Sequence, residues 1–355
     1  MPPAPPSPRA NPVYRPLPVG GTRELTFTIE PVPAQPGVER FYRHQFDAAE
    51  PLALAVRRVC VVELGHALGA LESDDRSAGI HATRKALKRT RAMLRLVRDR
   101  VGDPAYRAEN VALRDASRRI SDVRSAFVAV RTAEQLASQV PVLIPPAVGA
   151  RLVAVLDDRR LGMERRVGAE IAGSVARPIH DSMARIGLWA AQDPVPRYLT
   201  GPRLSISDDF SSVAHGIERV YRRGRRAMGG AYDRRTIESF HEWRKRVRYL
   251  RYQIEALHLM WPAVLGELAD ELALLAELLG AEHDLAELGD LIEREPDILP
   301  VAAHRASLAR GIAERRVALQ HDAHGLGRRV YAEAPGPFVE RLGTYWAVWK
   351  HQTKT

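Results

Sequence analysis

The residues best suited to chemistry in this chain are two runs of cations, each led by a histidine. In His241-Glu242-Trp243-Arg244-Lys245-Arg246-Val247-Arg248-Tyr249-Leu250-Arg251-Tyr252, a helix turning about 100° per residue gathers His241, Arg244, Lys245, Arg248, Arg251 and Tyr252 on one arc. Trp243, Val247, Leu250 and Ile254 fall on the opposite arc. One face packs; the other presents guanidinium forks, an ammonium and an imidazole, a donor set that suits phosphate oxygens. The second run lies 160 residues upstream and matches it without a gap. There His81, Arg84, Lys85, Lys88 and Arg91 stand where His241, Arg244, Lys245, Arg248 and Arg251 stand in the other. One basic stripe is ordinarily a solvated helix face. Its recurrence points to an internal duplication of roughly half the chain.

The stripes need helices to position them, and the remaining pattern supplies helices almost throughout. Apolar periodicity predicts a helix from about Leu52 to Glu72, then the first basic helix from about Ala78 to Val101. Gly102-Asp103-Pro104 reads as a stop and restart, with Asp103 as N-cap and Pro104 in the first turn of an arm reaching Leu136. That arm carries Asn110, Arg114, Arg118 and Ser121 at helical spacing, a polar stripe that can face the basic helix; two cationic faces would repel without an anion between them. Further helices are predicted at about 147–172 and 178–191, with the prolines 194, 196 and 202 as a link. Ser207-Asp208-Asp209 reads as the N-cap of a helix holding Tyr221-Arg222-Arg223-Gly224-Arg225-Arg226, the densest cationic run outside the repeats. The second basic helix spans about Thr236 to Met260, Pro262 opens another, and helices follow at about 265–292, 300–333 and 337–350. Thr22 to Glu30 alternates as a short strand would, before Pro31 ends it. No strands alternate with helices as an α/β nucleotide-binding fold requires. The expected fold class is all-α.

Bulk properties narrow the chemistry further. With 355 residues, 45% of them apolar, the chain has material for one large domain or two ordinary ones. A formal charge of +10 favours a polyanionic partner, whether nucleic acid, an anionic membrane surface or a phosphate polymer. Cys60 is the only cysteine, which excludes an intrachain disulfide and a cysteine-rich zinc site and fits a reducing cytoplasm. Met1 to Pro18 is proline-dominated, without the apolar run of a secretory signal, and reads as an extended or disordered tail. No stretch has the apolar length needed to cross a bilayer, so no membrane partner is expected. His180-Asp181, His283-Asp284, His304, His321-Asp322 and His324 offer ligand atoms, yet no pair has His-Glu-x-x-His spacing, so no metal or other cofactor is expected. Trp189, Trp243 and Trp261 read as core residues, and Tyr249 and Tyr252 as edges of the second stripe.

The paired His-x-x-Arg-Lys motifs, the Tyr221 to Arg226 run and Leu279-Gly280-x-x-His283-Asp284 together resemble the CHAD family, the conserved histidine α-helical domain. The similarity covers roughly residues 37 to 333. It implies two pseudo-symmetric antiparallel helical bundles whose basic faces line a shared central groove or channel, and a ligand that is long-chain inorganic polyphosphate. On this resemblance the ligand-binding residues are His81, Arg84, Lys85, Lys88 and Arg91 with His241, Arg244, Lys245, Arg248 and Arg251. Arg114 and Arg118 join them, as do Arg222, Arg223, Arg225 and Arg226, with His283 and Asp284 as supports. The resemblance divides the chain into a tail (1–36), a first helical half (37–140), connecting helices (141–206), a second half (207–335) and a C-terminal helix and tail (336–355). It also implies a cytoplasmic place on polyphosphate granules.

One departure stands out. The second half keeps Asp284, whereas the matching segment of the first, Ile120-Ser121-Asp122-Val123-Arg124-Ser125-Ala126, has Ser125 there. If the aspartate orients a cation, the first half holds its ligand less rigidly unless Asp122 substitutes. No catalytic residue is expected, because phosphoryl transfer and hydrolysis use metals held by carboxylates near the phosphates and neither repeat offers such a cluster. A metal-dependent enzyme acting on polyphosphate is therefore the weaker alternative. A general nucleic-acid-binding protein is the other, and few aromatics share the basic faces for stacking on bases.

Overall fold

The computed structural model describes residues 44–140, 144–166, 169–189 and 206–352. The expected strand at 22–30, the N-terminal tail and the link through residues 194–202 lie outside them. Among the described residues the chain is all α-helix with two short 3-10 turns and no strand. The helices are α1 (Leu52–Leu71), α2 (Arg76–Leu96), α3 (Arg98–Val101), α4 (Asp103–Arg119), α5 (Ser121–Gln139), α6 (Pro146–Arg166), α7 (Ala169–Gly187), α8 (Ser211–Arg234), α9 (Ile237–Ala256), α10 (Pro262–Arg294), α11 (Ala302–Val330) and α12 (Pro335–His351). No helix of the described residues is long and apolar enough to cross a membrane.

The two basic helices begin on strong local signals. Asp75 caps α2 by accepting the Ala78 amide at 2.9 Å, and α9 opens on a reciprocal Thr236–Ser239 capping box. Each buries the arc opposite its cations. For α9 that arc is Phe240, Trp243, Val247, Leu250 and Ile254; for α2 it is Ile80, Thr83, Leu87, Thr90 and Leu94. The close approach of α1 to α2 requires Gly79, where a Cβ would stand 2.3 Å from the Ala70 carbonyl oxygen. At Gly216 of α8 a Cβ would meet the Leu96 carbonyl at 2.0 Å, which brings α8 across the end of α2.

Several boundaries differ from the expected ones. The basic helix stops at Leu96 because Val97, fully buried, leaves helical geometry at φ −104° and ψ 14°. The arm after Gly102 is likewise two helices, broken at buried Ile120. In both cases an apolar residue, not glycine or proline, makes the bend, because the side chain is drawn into the core. Gly102 does turn the chain at φ 82°, and Pro104 opens α4, but Asp103 caps nothing and instead pairs with Arg98 at 2.8 Å. Asp208 does not cap α8 either: it accepts the Leu52 amide at 2.9 Å and pairs with Lys350 at 2.9 Å. Pro178 lies inside α7 and does not start it. Trp189 and Trp243 are buried as expected, whereas Trp261 is 47% exposed and stacks edge-on against Tyr345.

Two apolar cores hold the helices, and both draw on both halves of the chain. The larger runs through α1, α2, α4, α7, α8, α9, the start of α10, the end of α11 and α12. The smaller joins α5 and α6 to the end of α10 and the start of α11. Across the larger core α2 and α9 pack antiparallel. Arg89 reaches Glu255 at 3.2 Å, Gln253 donates to the Ala92 carbonyl at 3.3 Å, and Arg95 lies 4.1 Å over the Tyr249 ring. That crossing turns the two cationic arcs toward one space.

Candidate functional site: a shared cluster of cations

Five cations meet where α2, α5, α9 and α10 converge: Arg84 and Lys88 from α2, Arg124 from α5, Arg244 and Arg248 from α9. They lie close enough to oppose one another's charge. Burial, then the positive charges of Arg248, Arg84, Arg244 and Arg124, push the Lys88 ammonium well below its ordinary range. Burial and Arg248 bring Arg244 down to about 10, although Asp284, Glu287 and Glu282 favour its charge. Arg84, Arg124 and Arg248 are lowered as well, each chiefly by burial. Lys88, Arg124 and Arg248 form no ion pair or hydrogen bond among the described residues. Uncompensated, half-buried cations destabilise a fold, and this one keeps them together.

The flanking histidines sit at the rim of the same space. Desolvation, and then Arg124, Lys88, Lys85 and Arg248, lower His81 to about 4. Desolvation followed by His283, Lys245, Arg244 and Arg248 lowers His241 to about 4 as well. His241 and His283 stack with centroids 4.6 Å apart, and the Nδ1 of each is buried without a hydrogen bond. Both His81 and His241 are therefore neutral donors or acceptors at neutral pH, ready to protonate beside an anion.

Two arginines are oriented in different ways. Arg84 donates to the Ser117 carbonyl at 2.6 Å and to the Ser121 hydroxyl at 2.8 Å. Arg244 faces Asp284 at 3.5 Å, passes beside Gly280, where a Cβ would lie 3.4 Å from its guanidinium, and leaves its Nε unpartnered. The arginine of the half with Ser125 is thus held by shorter contacts than that of the half with Asp284, and Asp122 favours its charge, as the sequence suggested it could. Asp284 is not private to the second half either, since its charge also supports that of Arg124. His283, Asp284 and Glu287 offer ligand atoms within 4.8 Å of one another, but Arg244, Arg248 and Arg124 surround Asp284 with positive charge, which opposes a bare cation there.

The other expected residues are distributed around this cluster. Lys85 and Arg251 lie on its flank, where Arg251 pairs with Glu255 at 2.7 Å and Arg89 with Glu255 and buried Glu63. Lys245 is exposed and pairs with Glu242 at 2.5 Å. Arg91 donates to Asn110 at 3.1 Å, one turn beyond Lys88. Arg114 binds its neighbour Asp115 at 2.8 Å, and Arg118 lies 3.8 Å from the same carboxylate and is 71% exposed; neither enters the cluster. The polar stripe of α4 instead contributes neutral acceptors, Asn110 and the Ser117 carbonyl. Arg222, Arg223, Arg225 and Arg226 are exposed on α8, with Arg222 paired to Glu218 at 3.1 Å. Arg124 was missed as a cation of the site, and its signal was legible: it occupies the place of His283 in the matching segment.

The fold has known counterparts. PptA from Streptomyces chartreusis aligns at a TM-score of 0.55 and 14% identity over 80% of this chain and 100% of that one. The CHAD domain from the plant Ricinus communis aligns at a TM-score of 0.46 and 18% identity over 85% of this chain and 94% of that one. No curated protein matches the sequence. The CHAD domain family matches residues 60–293, a span from the middle of α1 to the end of α10 that contains every cation of the cluster. This chain belongs to the CHAD domain family.

Proposed function

We propose that this protein binds long-chain inorganic polyphosphate in the space between α2 and α9 and thereby associates with polyphosphate granules. The observation that carries the reading is the convergence of Arg84, Lys88, Arg124, Arg244 and Arg248 with Asp284 the carboxylate in contact. A linear chain of phosphates has no base or sugar to read, so a rigid array of forks and point charges suffices to hold it. The CHAD resemblance implies the same ligand. The site reads as a receptor rather than a catalyst: the one carboxylate pair beside it, Asp284 and Glu287, lies in the field of Arg244, Arg248 and Arg124, with Asp284 engaged by Arg244, which disfavours the metals that phosphoryl transfer uses. The two matched basic helices, with Arg84 against Ser121 and Arg244 against Gly280 at matching places, support an internal duplication.

Titration calorimetry with long-chain polyphosphate tests this directly. Binding is expected to weaken steeply with salt, and duplex DNA at equal phosphate concentration is expected not to displace the ligand. Equal displacement by DNA would move the reading to nucleic acid. Progressive shortening of the polymer in the presence of a divalent metal would make the protein an enzyme.

A further inference from the structure

The basic stripe of α2 does not end where its sequence motif ends. Arg84, Lys88, Arg91 and Arg95 recur at spacings of four, three and four, one continuous face about 16 Å long at the rise of an α-helix. Arg95 is held in place on that face: it donates to the Arg91 carbonyl at 2.7 Å, its guanidinium lies 4.1 Å over Tyr249 and 5.9 Å from Tyr106, and its own carbonyl accepts from Arg219 at 3.2 Å. Beyond it stands a second collection of cations. Arg223 on α8 is exposed and lies within the fields of Arg246, Arg219 and Arg98, and Arg95 also feels Arg246.

The carboxylates here are distributed unevenly. Arg98 is paired with Asp103, Arg219 with Asp99 and Arg246 with Glu242. Arg91, Arg95 and Arg223 have no carboxylate partner among the described residues. The unneutralised guanidiniums therefore form a line that starts beside Lys88 in the cluster and leads to the surface between the end of α2 and α8. Arg95, over the Tyr249 ring and with one N–H given to the Arg91 carbonyl, keeps its remaining donors for an oxyanion, so it is positioned as a way-point and not spent on a salt bridge.

We propose that this line is an exit track for one end of the polyanion, so that the protein prefers a long linear phosphate polymer over a short one. The inference rests on the proposed polyphosphate site. A ligand of a few phosphates would fill the central cluster alone; a long one would also lie along Arg91, Arg95 and Arg223, releasing more counterions as it does.

The test compares tripolyphosphate with long-chain polyphosphate on the full chain and on the double variant Arg95→Gln/Arg223→Gln. The unsubstituted protein is expected to bind both, the long chain more tightly and with a steeper salt dependence. The double variant is expected to lose roughly tenfold or more in long-chain affinity and about 1.4–1.8 in the log–log salt slope, with tripolyphosphate affinity unchanged. Arg223→Gln alone, at an exposed position that cannot disturb the core, is expected to lower long-chain affinity by itself. Undiminished long-chain affinity and slope in the double variant would overturn the track while leaving the central site intact. An equal loss for both ligands would also overturn it, since the arginines would then belong to one compact site. Failure of the unsubstituted protein to bind either ligand would instead remove the polyphosphate reading itself.

Discussion

Lys88→Met should make the protein more stable and a poorer receptor. Methionine keeps the apolar stem of the side chain and deletes a charge that Arg248, Arg84, Arg244 and Arg124 all oppose. The Arg84–Lys88 pair, four residues apart on one helix, costs about 0.2–0.5 kcal/mol as an exposed like-charge pair. Three further cations face it across half-buried space, where charges are screened less than at the open surface. Together with the recovered desolvation, relief on the order of 1–2 kcal/mol follows, which corresponds to a rise in Tm of roughly 2–6 °C for a domain of this class. Binding should move the other way. Loss of one charge-assisted contact weakens long-chain polyphosphate by about ten- to a hundredfold and flattens the salt slope by about 0.7–0.9. Thermal melting without ligand and calorimetric titration at several salt concentrations read the two effects separately. A lower Tm would mean that Lys88 is a structural cation, and an unchanged affinity would mean that the polymer does not pass it; either result refutes the reasoning.

Two further predictions concern protons and the acidic partner. His81 and His241 titrate near 4 in the folded protein against 6.5 for the ordinary side chain, so the unfolded chain takes up more protons between those values and ligand-free stability should fall as pH drops from about 6.5 toward 4. An anion favours the protonated forms, so polyphosphate binding near pH 6 should be accompanied by net proton uptake, measurable as a dependence of calorimetric heat on buffer ionisation enthalpy; the absence of uptake would place the ligand away from both rings. Asp284→Asn should do the opposite of Lys88→Met, lowering the ligand-free Tm by roughly 2–6 °C because Arg244, Arg248 and Arg124 lose their shared carboxylate, with polyphosphate restoring most of the loss. An unchanged melting curve would show that Asp284 does not hold the cations together.

Much of this was readable in the residues themselves. The recurrence of His-x-x-Arg-Lys at 81 and 241 marked out α2 and α9 with their cationic arcs, because helical spacing alone decides which side chains share an arc and the opposite arc was apolar in both runs. What spacing cannot decide is the rotamer and the partner. Arg114 and Arg118 have the right spacing on α4, yet a carboxylate at Asp115 captures both, and Asn110 and the Ser117 carbonyl face α2 instead. Helix ends were legible where local chemistry makes them, as at Asp75, Thr236 and Gly102, and hidden where packing makes them. The bends at Val97 and Ile120 occur at residues that would continue a helix by propensity, and each is taken out of it by burial. Asp208, a plausible cap by type, is used across the fold by Leu52 and Lys350, residues 156 and 142 positions away.

The asymmetry at Ser125 is the most instructive case, because the two arginines it distinguishes are oriented by different means. A missing aspartate would leave the first half-site loose only if each half had to orient its own arginine through a charge. Here Arg84 is held by two neutral acceptors on α4 and α5, with no carboxylate in contact and only the more distant charges of Glu287 and Asp122 in its favour. Arg244 is steered by a carboxylate that cancels part of its charge, at a longer 3.5 Å, and that carboxylate also reaches Arg124 across the divide between the halves. A polyanion should therefore be held hardest at the Arg84 and Lys88 side, where no carboxylate is in contact with the cations, while the Asp284 side supplies the compensation that lets five cations coexist before the ligand arrives. The two basic helices would in this way divide the work, the Arg84 side leaving its cations free for the ligand and the Asp284 side keeping the fold.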